Sequence, residues 1–162
     1  MRLLRLCAAL ERIADGLPGV HSKTGKVLSF LDKAFARHVF IHEKCLFPLI
    51  RSLEDNKEPT ELILRQLEFE HAADRGLIVE IACAYMGRMA GNAGYEAQMF
   101  GYMLRAFFEN YRRHCAWERN VLYPLARKIL VTGEPRKHHD ALFRLSAGSM
   151  EPEALLRLAA VC

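Results

Sequence analysis

His38 and His42 stand four residues apart in the stretch His38-Val-Phe-Ile-His42-Glu43, and His114 and Glu118 stand four apart in His114-Cys-Ala-Trp-Glu118. Each pair is followed, at one identical offset, by an aromatic-Pro-Leu run: Phe47-Pro48-Leu49 in the first copy and Tyr123-Pro124-Leu125 in the second. On an α-helix a spacing of four puts both side chains on one face, one turn apart, so each pair can grip a single ion. Imidazole and carboxylate donors together suit Fe, Mn or Zn, whereas a hard-cation site calls for oxygens throughout. A third patch, Glu70-His71, adds another imidazole and another carboxylate. The chemistry on offer is metal binding from paired helices.

Helices must position these groups. Apolar residues recur at helical spacing from Leu3 to Ala14, and Gly16-Leu17-Pro18-Gly19 stops that run. Ser22 is a plausible N-cap for a second helix ending near Leu53, and Thr60 for a third ending near Ala90. A fourth runs from Tyr95 to about Leu130. The spans are about 2–16, 23–53, 60–90 and 95–130, with short helical pieces over 135–162. No segment alternates with period two, so an all-α single domain is expected: an antiparallel up-down four-helix bundle with extra C-terminal helices.

Counting along antiparallel rods tests whether the donors share a level. His42 lies about 12 residues before the loop near Glu54, and His71 about 11 after Thr60, roughly 17 Å along each helix. His71 precedes Gly91 by about 20 residues, and His114 follows Gly94 by about 20. Three helices thus bring their donors to one height. On the first helix that height falls at about residue 2 or just before Met1, and its first acid is Glu11.

Composition removes other classes. The net charge of +4 is spread over 23 basic and 19 acidic residues, with no basic run interleaved with aromatics, so no nucleic-acid partner is expected. The most apolar stretch, Gly76 to Met89, is short and carries Glu80 and Arg88, so no membrane span is expected. Five cysteines without a CxxC pattern suit a reducing cytoplasm. No Ser-His-Asp pattern or Gly-rich phosphate loop is visible, so a binding protein is expected rather than an enzyme.

These residues resemble the hemerythrin-like HHE cation-binding domains. The likeness is carried by His-x3-(His/Glu)-x5-Pro in helix two, Glu-His at 70–71, and His-x3-Glu-x3-Leu-Tyr-Pro in helix four, over roughly Leu3 to Leu130. It implies a four-helix bundle holding non-haem iron, with O2 or NO as a small-molecule ligand and a role in sensing, carrying, redox response or iron handling. Carried over by position, it implies His38, His71, His114 and Glu118 as ligands. His42 stands where the family has a bridging Glu, with Glu43 beside it, and the family's helix-one His is either absent or lost with an upstream start. Two ions about 3.5–4 Å apart need anionic bridges. Glu118 supplies one, with Glu43 and Glu70 as further candidates. One or two irons therefore remain open, as do Zn and Mn.

The plainer reading of four level histidines is a buried polar cluster without metal. An interaction or scaffold protein on the same bundle is accordingly the alternative function. Its apolar patch for a protein partner or homodimer would lie on Leu155 to Val161 or on the first helix. A metal-dependent oxidase or iron-centre repair factor is a third reading. Pro48 and Pro124 are expected to bend their helices. Phe40, Phe47, Phe107, Phe108, Trp117 and Tyr123 are expected in the core or pocket wall. Tyr111, one turn before His114, is a candidate to support that ligand by a hydrogen bond. Glu68 and Asp74 read as exposed acids or as acids that support the ligands, and Cys45 and Cys115 as small hydrophobes, with redox activity the alternative. His21, His138 and His139 read as solvated.

Overall fold

The computed structural model describes residues 2–16, 23–54, 58–91 and 97–132. The positions His21, Ser22, His138 and His139, the expected helical pieces at 135–162 and the Leu155 to Val161 patch lie outside the described residues. Four helical rods account for nearly all of the rest: α1 (Arg2–Ala14); α2 (Thr24–Phe40) continued by a π segment (Ile41–Leu46) and α3 (Phe47–Leu53); α4 (Glu58–Met89); and α5 (Ala97–Trp117) continued by a π segment (Glu118–Leu122) and α6 (Tyr123–Thr132). Among the described residues there is no strand, and the fold class is the all-α one expected.

The rods stop where backbone chemistry requires. Gly16 and Gly91 have φ of +69° and +74°, a left-handed conformation that glycine adopts without a Cβ penalty. The amides beside them close the last turns: Asp15 N–H donates to Glu11 O at 2.9 Å, and Ala90 N–H to Met86 O at 3.0 Å. Thr60 does not cap α4, which begins earlier, at Glu58. Pro59 fits that first turn because its missing N–H would have had no helical partner. Thr60 is buried, and its hydroxyl donates to the Glu54 carboxylate.

In front of Pro48 and Pro124 the structure shows a π segment. In an unbroken α-helix Pro48 would give the carbonyl of residue 44 no hydrogen bond and press its ring against it; Pro124 would do so at residue 120. The wider turn takes in one more residue per ring and makes room. Its closing bonds run from Phe47 N–H to His42 O and from Tyr123 N–H to Glu118 O, five residues back in each case. Where a bend was expected, the structure shows a change of hydrogen-bond register.

The described residues divide into two compact units, one within Met1–Phe35 and His71–His114, the other within Ala36–Glu70 and Cys115–Cys162. The first buries Cys7, Leu10, Leu31, Phe35, Ile81, Leu104, Phe107 and Tyr111. Each fully buried large apolar side chain contributes about 1.5–3 kcal/mol. Arg112 ties α5 to α1 through Glu11 at 2.7 Å and lies over the Phe108 ring, while Arg105 reaches Asp15 at the end of α1, also at 2.7 Å.

The second unit has its own core of Leu46, Phe47, Leu49 and Ile50 against Leu64, Leu67, Leu122, Ala126 and Ile129. Arg51 joins α3 to α4 by bonding Glu61 at 2.8 and 3.1 Å and Glu68 at 2.9 Å. Glu61 also accepts from Arg65 at 2.9 Å, and these two guanidinium bonds hold its carboxyl down at about 2. Phe40 departs from expectation: it is 60% exposed, because it lies two residues from both His38 and His42 and so points away from the face they share.

Candidate metal centre

The histidines arrive by three local routes. His38 sits in the last turn of α2 and His114 in the last turn of α5, both one turn ahead of a π segment. His42 and Glu118 sit inside the π segments, with their own carbonyls fixed by the closing bonds from Phe47 and Tyr123. His71 lies within the long, uninterrupted α4. All five side chains are buried, His42 and Glu118 completely.

In the first unit the imidazoles are framed by rings. His71 and His114 lie with ring centroids 5.0 Å apart. Phe35 meets His71 edge-on at 6.3 Å. Phe107, Tyr111 and His114 repeat at i, i+4, i+7 on α5 and stack as a column, at 5.7 and 5.6 Å. Tyr111 therefore supports His114 through its ring face.

In the second unit polar contacts dominate. His38 Nε2 lies 3.3 Å and His42 Nδ1 3.0 Å from the same oxygen, Glu118 Oε1. The far nitrogen of His42, Nε2, is 3.4 Å from the Tyr123 hydroxyl. Phe47 lies 5.6 Å from the His42 ring.

Three imidazoles and one carboxylate come together: one donor atom each of His38, His71, His114 and Glu118 lies within 4.8 Å of the other three. His42 is not a member of that group, nor are Glu43 and Glu70. Glu43 is half-buried. Glu70, also half-buried, accepts from Gln66 at 2.9 Å. Among the described residues α1 contributes no member. Its Cys7 is buried, and that burial pushes the thiol up to about 11 against the pull of Arg112, so it stays protonated and packs as a small hydrophobe. Burial likewise raises Cys45.

The donor set fits a metal ion. A carboxylate out of water needs a positive charge beside it, and the buried charged residues described here include no lysine or arginine. A divalent ion would supply that charge, and imidazole with carboxylate is the usual environment of Zn and of non-haem Fe or Mn. Asp74, one turn beyond His71 on α4, is buried rather than exposed. Sequence reasoning did not find one contact: Tyr123 places its hydroxyl at His42, a role signalled only by Tyr standing where the first copy has Phe47.

A family model described as the hemerythrin HHE cation binding domain matches residues 1–126. No curated protein and no solved structure matches the chain.

Proposed function

The chain belongs to the hemerythrin HHE cation-binding family, and on that premise we propose that it holds non-haem iron and binds O2 or NO, as a sensor, carrier or redox responder in the cytoplasm. The observation that carries this reading is the buried group of His38, His71, His114 and Glu118. Bound there, iron would supply reversible affinity for a small diatomic ligand and one-electron exchange. The protein's part is to present three neutral donors and one anion in fixed orientations. The Phe35, Phe107 and Tyr111 rings keep water from the imidazoles of the first unit. Three or four protein ligands leave a coordination position for a small molecule.

The test is elemental analysis of protein expressed anaerobically with iron, followed by absorption spectra before and after admission of air or NO. Stoichiometric iron with a gas-dependent spectrum is the expected result. His71→Ala and His114→Ala should each lose most of the iron, and unchanged iron content in both would sink the proposal. A second reading, an interaction protein on the same bundle, draws on the exposed side of α4, where Leu62, Phe69, Val79 and Met86 all lie in solvent. It predicts the same melting temperature and oligomeric state with and without metal. No described helix is long and apolar enough to cross a membrane.

A further inference from the structure

We infer that His42 is a positioning residue that restricts this centre to a single metal ion, and that a carboxylate at position 42 would admit a second. The inference rests on the metal-binding reading above and concerns how many ions the residues can hold.

The two ligand turns are copies of one device. His38 and His42 correspond to His114 and Glu118 in spacing, each copy runs from an α-helix into a π segment, and the carbonyls of His42 and Glu118 both accept from the amide five residues on. Position 42 is therefore the backbone equivalent of position 118. At 118 the copy supplies an anion. At 42 it supplies an imidazole without fixed negative charge.

Charge then limits occupancy. The group that converges contains one carboxylate, Glu118. One divalent ion beside it leaves one excess positive charge in a buried site, and two ions leave three. Two ions at about 3.5–4 Å need anionic bridges to offset their repulsion.

His42 is occupied otherwise. Its Nδ1 is 3.0 Å from Glu118 Oε1, and its Nε2 is 3.4 Å from the Tyr123 hydroxyl. The two ring nitrogens of His42 thus face the Glu118 carboxylate and the Tyr123 hydroxyl, and the imidazole holds its place beside the carboxylate ligand, as neighbours of metal ligands commonly do.

The experiment is Fe(II) titration of the metal-free full chain under anaerobic conditions, with bound metal counted by elemental analysis and by calorimetry, on wild type, His42→Glu and His42→Gln. Wild type should take one ion per chain, His42→Glu two, and His42→Gln one with affinity weakened about 10–100-fold. Two ions in wild type would overturn this inference while leaving the metal-binding proposal standing, and so would one ion in a folded His42→Glu. Should His42→Glu fail to fold, as judged by circular dichroism, the wild-type count and the weakened binding of His42→Gln still decide the matter. Absence of bound metal in every form would overturn the proposed function itself.

Discussion

The two units meet the same task, holding a buried imidazole in one orientation, by opposite means. In the first, His71 and His114 sit on α-helical backbone and are wedged by Phe35, Phe107 and Tyr111. In the second, His38 and His42 converge on Glu118 and Tyr123, and the backbone under two of these residues has left the α-helical register. Ring packing orients a neutral donor without adding charge. Polar contacts orient a charged donor, and they work in a buried setting only when each group finds its partner. The contrast assigns rigidity to the first unit and charge to the second.

Truncating the matched phenylalanines should produce the largest effects. Phe35→Ala and Phe47→Ala each remove a fully buried ring beside a histidine and should each lower stability by about 3–5 kcal/mol in urea melts. A much smaller loss at either position would show that its unit does not depend on that packing. Glu118→Gln keeps the shape and deletes the charge. Metal affinity should fall at least about 100-fold, roughly 2.7 kcal/mol at 1.36 kcal/mol per tenfold, while the metal-free protein stays folded. If His71→Ala weakened metal binding more than Glu118→Gln does, the assignment of charge to the second unit would be wrong.

Tyr123→Phe tests the support behind the charge. Losing the hydroxyl at His42 should weaken metal binding about tenfold, toward the low end of such effects, as measured by competition with a chelator. The smallest effect belongs to the Arg51 bridge. Arg51→Ala should lower stability by about 1 kcal/mol or less, since the bridge is partly open to solvent. Its pH dependence has a defined sign. The Glu61 carboxyl is held below its ordinary value of 4.5, at about 2. The stabilisation is therefore fully present above about pH 4.5 and lost as pH falls through about 2. The difference between wild type and Arg51→Ala should shrink across that window and stay flat above it.

The rods were legible because apolar periodicity persists over a dozen residues or more and glycine marks the ends, as at Gly16 and Gly91. The shared level of His42, His71 and His114 could be counted because helical rise is nearly constant, but the count could not tell that His38 and Glu118, not His42, join the converging group. The register change was not legible. A π segment of five or six residues is too short to alter side-chain periodicity visibly, and the prolines at 48 and 124 signalled only that the α ladder must fail nearby. Asp74 was left open and the Tyr123 contact was missed for another reason: whether one acid on a helix is buried, or one phenol finds a ring nitrogen, depends on neighbours far away in the chain. Phe40 was assigned to the core by residue type, when its position between two inward-facing histidines already turned it outward.

The two π segments have a consequence for amide proton exchange. Where the ladder shifts from i−4 to i−5, the hydrogen bonds are more weakly held than those of the flanking α-helix, so these turns should open before the rods that carry them. Exchange with deuterium should then be fastest, within the helices, over Ile41–Leu46 and Glu118–Leu122. A ligand gripping His42's neighbourhood and Glu118 would slow it there first, giving a readout of occupancy in the backbone of the very turns that present the donors.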